Sequence, residues 1–248
     1  MTLCAPLDSL QLTGRCDSHI ETVPGSPGLR LHRAAIQPWL ALREAAAAEG
    51  LQLQAVSGFR DFARQRAIWN AKCRGDRPAL DRDGRPVDVR ALAPREVVDT
   101  VLNWSALPGA SRHHWGSEID LIDLARWPAG LPWRLEPADF ATSGPCAELD
   151  AWLDAQAATL GFYRPYARDL GGVQPEPWHV SFAPVSVPAT AALVVDLLGE
   201  ALAGGDVACA ADILGRLESL HARQVLAVEA PPAHLLARLT AASASRLS

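Results

Sequence analysis

The chain has 248 residues, of which 49% are apolar and 21% charged, and its net charge is −5. This composition is typical of a globular protein with one elaborated domain, or with a domain and a small appendage. The net negative charge does not indicate a basic surface for binding nucleic acid. No stretch approaches the roughly 18 consecutive apolar residues of a membrane span, so none is predicted.

The first 32 residues are rich in turn formers and predict an irregular N-terminal segment. They lack a basic head followed by a continuous apolar run, so no signal peptide is predicted and the chain as written is compatible with the cytoplasm. The five cysteines are widely spaced and include no Cys-x-x-Cys pair. Neither a cysteine zinc site nor a dithiol motif is therefore indicated.

Helical and strand patterns alternate between residues 33 and 187. Helices are predicted over about residues 38–48, 62–74, 94–104 and 147–160, and strands over 51–56, 117–123 and 178–182. Asp61 is the expected N-cap of the second helix. The charged segment 76–93 is predicted to be a surface excursion such as a hairpin, and 126–145 a proline-rich loop.

From residue 188 onward alanine and leucine dominate, and helices are predicted near 189–203, 206–222 and 232–245. The chain is thus divided into an irregular segment 1–32, a main domain 33–187 and a helical appendage 188–248. The appendage is expected to pack against the main domain, and binding of a partner is the alternative.

The segment Ser111–Asp120 contains His113 and Asp120, whose side chains can both bind a metal ion. If the chain between them were extended it would span roughly 23 Å at about 3.3 Å per residue, so it must turn for both to reach one ion. Gly116 is the residue able to make that turn. His114 is a competing ligand, but an adjacent side chain points away when His113 points inward.

Glu176 lies between two prolines and three residues before His179. Because a polyproline segment repeats about every three residues, these two side chains are expected to share one side. His179 then joins His113 and Asp120 around one zinc ion, while Glu176 approaches the water. Three protein ligands leave the fourth zinc position open, as in catalytic sites. Each motif alone is weak, because such spacings also arise by chance.

The pattern Ser-x-His-x-x-Gly-x-x-x-Asp, followed by Glu-x-Trp-His, resembles the M15 zinc D,D-peptidases, the D-alanyl-D-alanine carboxypeptidases and dipeptidases of the VanY and VanX type. The upstream segment Ser57–Arg60, with Gln65 five residues later, resembles the Ser-Gly-Tyr-Arg…Gln segment of that family. The three blocks follow the family's order and cover roughly residues 33 to 184. The resemblance implies an α+β fold in which helices pack on a small antiparallel sheet that carries the zinc site.

By matching position, the resemblance implies that His113, Asp120 and His179 bind the zinc ion and that Glu176 is the general base. It further implies that Arg60 polarises the scissile carbonyl and stabilises the oxyanion. These roles describe a zinc metallopeptidase, because the metal supplies the activated water and the carboxylate moves the proton.

The resemblance also implies substrate-binding roles for Ser111, which would help hold a terminal carboxylate, and for Gln65 and Ser57. One residue departs from the family, which commonly has alanine where this chain has Glu118. On an alternating strand Glu118 shares the face of Asp120. It is expected to narrow the cleft, to add negative charge or to turn toward solvent, and in each case to bear on substrate preference.

The expected activity is hydrolysis of the terminal peptide bond of peptidoglycan stem peptides or related peptides. Within the same class the alternatives are a D,D-dipeptidase and a peptidoglycan endopeptidase. Outside it they are a zinc-binding module without catalysis, which needs neither Glu176 nor Arg60, and an interaction protein led by residues 188–248. The family's substrate points to the cell envelope, so the compartment is left open.

Overall fold

An antiparallel sheet of four strands lies at the centre of the molecule, and helices pack around it. The computed structural model describes residues 1–244. Two further pairs of short strands form separate hairpins. This arrangement confirms the predicted α+β fold.

The helices and strands are short, and turns connect them. The strands are β1 Ile20–Thr22, β2 Arg30–His32, β3 Leu53–Ser57, β4 Ala79–Leu80, β5 Pro86–Val87, β6 Glu118–Asp123, β7 Phe162–Tyr163 and β8 His179–Phe182. The α-helices are α1 Ser9–Leu12, α2 Arg33–Ala48, α3 Phe62–Cys73, α4 Pro94–Val101, α5 Pro137–Phe140, α6 Ala147–Gln156, α7 Ala183–Ala192, α8 Val195–Ala203, α9 Ala210–Gly215, α10 Leu217–His221 and α11 Ala233–Ala244. Single 3-10 turns cover Val89–Ala91, Arg112–Trp115 and Ala157–Leu160, and a π turn covers Ala222–Leu226.

The central sheet has the strand order β3-β6-β8-β7, so β6 and β8 are its two inner strands. Asp120 on β6 is the register partner of His179 on β8. On the other side of β6, Ser57 at the end of β3 pairs with Asp120 after an irregularity in register. The sheet therefore brings Asp120 of the Ser111–Asp120 motif into direct contact with His179 of the Glu176–His179 motif. It also places Ser57 of the Ser57–Arg60 motif beside them.

Local signals located several elements correctly. Asp61 caps α3, because its Oδ1 accepts a hydrogen bond from the backbone N–H of Arg64 at 2.7 Å. Segment 76–93 contains the predicted hairpin, in which β4 pairs antiparallel with β5. Both features depend on side chains close in sequence, so they could be read from local patterns.

Other boundaries were wrong. Helix α2 begins at Arg33 and contains Pro38 in its interior, because the His32 ring accepts a hydrogen bond from the Ala34 N–H and caps the helix earlier. Helix α7 begins directly after β8 rather than near residue 189. Strand β7 was missed, because its two residues are too few to show an alternating pattern.

One hydrophobic core runs through all three predicted parts of the chain. Its buried members include Leu12 and Leu31 from the first part, Ile119 and Leu121 from the second, and Leu198, Ile213 and Leu220 from the third. Residues 1–32 contain α1 and the β1–β2 hairpin, and residues 188–244 contain the rest of α7 and helices α8 to α11. The division into three parts stays a prediction, with this shared core as its structural setting.

Among residues 1–244, no single helix has both the length and the apolar character needed to cross a membrane. Helices α7 and α8 satisfy that test only when taken together, and an 81° bend separates them.

Candidate metal centre and cleft

Three buried side chains with metal-binding atoms meet over the two inner strands of the central sheet. His113 comes from the 3-10 turn, Asp120 from β6 and His179 from the first position of β8. One ligand atom from each lies within 4.8 Å of the others. The predicted ligand set is therefore brought together, although 59 residues separate His179 from Asp120.

The turn predicted at Gly116 brings His113 back toward Asp120. Gly116 ends the 3-10 turn in the left-handed region at φ 67°. A side chain here would also collide with Ile20 and with the backbone of His32, to which the Gly116 carbonyl is hydrogen bonded. Only glycine meets both the conformational and the steric requirement.

In both His113 and His179, one ring nitrogen contacts a partner that lies outside the ligand set. His113 Nδ1 lies 2.8 Å from the carbonyl of Gly58, which can only accept, so Nε2 is left to face Asp120 Oδ2 at 3.3 Å. In His179 the roles are exchanged: Nε2 lies 2.7 Å from Glu118 Oε2, and Nδ1 lies 2.9 Å from Asp120 Oδ1. Outer partners of this kind fix the orientation of metal-binding imidazoles.

This donor set fits zinc, which takes imidazole nitrogen and carboxylate oxygen and needs only three protein ligands in a catalytic site. Burial disfavours the charged form of Asp120, but His113 and His179 outweigh it and hold its pKa well below the usual range. Burial likewise opposes charge on His179, yet its contacts with Asp120 and Glu118 raise its pKa to about 10. A metal ion would compete with the proton on Nδ1.

Glu176 lies beside the ligand set, with Oε2 at 3.5 Å from His179 Nδ1. The shared side predicted for these two residues is found, but a polyproline segment is not its cause. A tight turn brings them together, in which the His179 N–H donates to the Glu176 carbonyl at 3.0 Å. Burial is the main reason that the pKa of Glu176 is raised to about 7. A carboxylate with this pKa can take up and release a proton near neutrality.

Arg60 borders the same cleft, and two side chains that lie outside the cleft hold its guanidinium in place. Its Nη1 donates to Gln65 Oε1 at 2.8 Å and its Nη2 to Ser57 Oγ at 3.2 Å. Gln65 is itself anchored through its amide nitrogen to the carbonyl of Ala106. Ser57 and Gln65 do not border the cleft, so these contacts support orientation of Arg60, and their direct contact with substrate stays a prediction.

His114 points away from the metal-binding atoms, as predicted. Its Nδ1 lies 2.6 Å from the carbonyl of Arg60, and its Nε2 accepts a hydrogen bond from the Gly109 N–H at 3.1 Å. The backbone N–H of Arg60 also donates to the carbonyl of His113. The adjacent histidines thus hold the Arg60 backbone against the metal centre, a connection not predicted from the sequence.

Two of the three expectations for Glu118 are wrong, because it neither narrows the cleft nor turns toward solvent. It is fully buried behind His179, borders no part of the cleft and does not reach solvent. Its negative charge is offset by Arg112, whose Nε lies 3.4 Å from Oε2. A place in the cleft or in solvent was wrongly expected, because strand alternation does not say whether other elements cover a residue, while a bearing of Glu118 on substrate preference stays a prediction.

The cleft in front of the ligand atoms has a volume of about 280 Å³. Trp104 and Trp178, whose rings stack 6.5 Å apart, form one wall, and Tyr166 packs edge-on against His179 at the base. Ser111, predicted to bind substrate, is buried and borders the cleft close to His113. The cleft volume lies near the lower limit of about 300 Å³ for small-molecule pockets, a size that suits one or two residues at the end of a peptide.

Lys72 also borders the cleft, a position that was not predicted from the sequence. Its ammonium donates to Ser105 Oγ at 2.6 Å, and no ion pair joins it to a carboxylate anywhere in residues 1–244. Burial is the largest contribution to its lowered pKa. A signal existed, because Lys72 follows Gln65 by seven residues on α3, and two helical turns place them on one face.

Comparison with known proteins agrees with this geometry. Residues 28–185 match the family model described as VanY, D-alanyl-D-alanine carboxypeptidase. An uncharacterized protein of Haemophilus influenzae is 38% identical over 98 residues, which are 39% of this chain and 67% of that protein.

Two solved structures share the fold at a TM-score of 0.50 each. One is a mutant of the vancomycin resistance D,D-pentapeptidase VanY in complex with Zn(II), at 21% identity over 76% of this chain and 89% of that one. The other is VanYB in complex with D-alanine-D-alanine, at 22% identity over 75% of this chain and 85% of that one.

Proposed function

This chain belongs to the VanY D-alanyl-D-alanine carboxypeptidase family of zinc peptidases, and from that premise we propose that it removes the C-terminal residue of peptidoglycan stem peptides or related short peptides. The observation that carries the proposal is the position of Glu176. Its carboxylate lies 3.5 Å from His179, on the cleft side of the buried His113–Asp120–His179 set.

His113, Asp120 and His179 would hold a zinc ion, which would supply a Lewis acid and an activated water when bound. Glu176 takes the proton from the attacking water and delivers it to the leaving amine, because its raised pKa favours both transfers near neutrality. The turn that fixes Glu176 relative to His179 keeps this carboxylate in place during both steps.

Arg60 stabilises the negative charge that develops on the carbonyl oxygen of the scissile bond. Its guanidinium is planar and permanently charged, and Gln65 and Ser57 hold it in one orientation before substrate binds. A preorganised donor of this kind needs no reorganisation during the reaction.

Lys72 offers a cation for the free carboxylate at the end of the substrate. It borders the cleft together with Ser105 and Ser111, and it forms no ion pair with a carboxylate of residues 1–244. A C-terminal carboxylate bound here would favour an exopeptidase over the endopeptidase alternative. A D,D-dipeptidase would need an additional group for the substrate amine, and a zinc-binding module would need neither Glu176 nor Arg60.

A peptide panel tests the proposed activity. We expect the zinc-loaded chain to release D-alanine from stem peptides ending in D-Ala-D-Ala and to cleave the free dipeptide D-Ala-D-Ala more slowly. Release of D-alanine from tetrapeptide stems, which end in a single D-alanine after an L-centre, indicates L,D-specificity, whereas release only from stems ending in D-Ala-D-Ala indicates D,D-specificity. A wild-type chain that binds zinc and releases no amino acid from any of these peptides would remove the proposal.

Replacing Lys72 with methionine tests the carboxylate contact. We expect KM for a free-acid peptide to rise about tenfold or more with little change in kcat, because a charge-assisted hydrogen bond to the ground-state carboxylate is lost. The same peptide with an amidated C-terminus should be a poor substrate of the wild type and be affected little by the substitution. Equal effects on both peptides would contradict the contact. Arg66→Met, on the same helix, is the matched control.

A further inference from the structure

Glu118 is a fully buried carboxylate whose position behind a metal ligand is not explained by hydrolysis alone. It occupies the first position of β6, and its register partner on β8 is Ser181, two residues after His179. Both of its oxygens are occupied. Oε1 accepts from the hydroxyls of Ser117 and Ser181 at 2.8 Å each, and Oε2 faces His179 Nε2 at 2.7 Å.

The contact with Nε2 determines which nitrogen of His179 is available. A carboxylate accepts hydrogen bonds, so Nε2 carries its proton toward Glu118 and Nδ1 is the atom left for the ligand set. Nδ1 is the atom that faces Asp120 and Glu176. His113 needs no such carboxylate, since the Gly58 carbonyl performs the same task on the opposite nitrogen.

The positive charge of Arg112 lowers the free-energy cost of burying the Glu118 carboxylate. Its guanidinium is only 4% exposed and lies 3.4 Å from Glu118 Oε2, where its charge offsets that of the carboxylate. The guanidinium is fixed by Thr190, Tyr163 and Ser181, at 2.9 Å each. These partners come from α7, β7 and β8, so the ion pair is held by three elements that pack behind the metal centre.

We propose that Glu118, held by Arg112, is a positioning residue that fixes the ring of His179 so that Nδ1 points at the metal. The inference rests on the zinc peptidase activity proposed above for its context, but it concerns metal binding and can be measured without any peptide. Carboxylate partners of metal-binding imidazoles typically contribute about 10- to 100-fold to metal affinity.

The test compares zinc affinity in four proteins, measured by competition with a chromogenic chelator. In Glu118→Gln the amide keeps the shape but loses the charge, and we expect zinc affinity to fall about 10- to 100-fold. Asp123→Asn is the matched control. Asp123 is a buried carboxylate on the same strand that pairs with Arg126 and touches none of the three ligands, so its variant should bind zinc as the wild type does.

A double variant separates positioning from a merely structural role. Glu118→Gln leaves Arg112 buried without its counter-charge, which destabilises the fold, whereas Glu118→Gln combined with Arg112→Met removes both charges. We expect the double variant to regain part of the lost melting temperature but not the lost zinc affinity. The visible spectrum of the cobalt-substituted protein should change in both Glu118 variants and stay unchanged in Asp123→Asn.

Wild-type zinc affinity in a folded Glu118→Gln protein, or recovery of that affinity together with stability in the double variant, would overturn the inference. An equal loss of affinity in Asp123→Asn would do the same. These results are independent of turnover. A wild-type chain that binds zinc but cleaves no peptide defeats the proposed activity and leaves the role of Glu118 intact.

Discussion

Replacing Glu176 with glutamine is expected to lower kcat by about 10²- to 10⁴-fold while zinc stays bound, because general acid–base catalysis contributes about that much. The amide has the shape of the carboxylate but cannot take up the proton of the attacking water. The backbone contacts of Glu176 with Tyr166 and His179 do not involve its side chain and should survive the change. Zinc content and kcat, measured on the same preparation, check this expectation.

Glu148→Gln is the control for this substitution. Glu148 forms an ion pair with Arg126 on the surface and does not border the cleft, so its loss should change neither zinc content nor kcat. A Glu176→Gln protein with wild-type kcat would show that another group moves the proton. Loss of zinc from that protein would show instead that Glu176 is needed to hold the ion.

Replacing His113 with glutamine is expected to abolish zinc binding in the micromolar range and with it all measurable turnover. One of three protein ligands is then lost, so the effect should exceed the roughly 100-fold caused by loss of an outer partner. Removing zinc from the wild type with a chelator should likewise abolish turnover, and adding zinc back should restore it only in the wild type. Metal analysis after dialysis and kcat are the two measurements.

The neighbouring histidine provides a matched control. His114→Gln changes the same residue type one position along the chain, where the ring binds the Arg60 carbonyl and the Gly109 N–H rather than a metal. We expect this variant to retain about one zinc ion per chain and to lose stability. Loss of zinc from His114→Gln and its retention in His113→Gln would reverse the assignment of the ligand.

The identity of the candidate site could be predicted from the sequence because its chemistry is carried by short motifs. His113, Gly116 and Asp120 belong to one stretch of ten residues, and the turn that joins them depends on a single glycine. Asp61 capped its helix as expected for the same reason, since a cap involves only residues one turn apart. Local steric and hydrogen-bonding rules suffice for features of this length.

What surrounds the ligands could not be predicted in the same way. Lys72 contacts Ser105 across 33 positions of sequence, and strand β7, which supplies Tyr163 to Arg112, is too short to be recognised by its pattern. The tight turn at Glu176 replaced the expected polyproline segment, because backbone pairing with Tyr166 determines the path of the chain there.

The sequence by itself identified the family and the candidate ligand types and predicted a general base, since each is a matter of which functional groups recur at short spacing. Only the tertiary structure showed the surroundings of Glu118, whose partner His179 lies 61 residues away on the neighbouring strand. Strand alternation placed Glu118 on the face of Asp120, but it did not reveal that other elements cover that end of the face. A buried charge takes its role from its partners, and those partners are set by packing between distant segments.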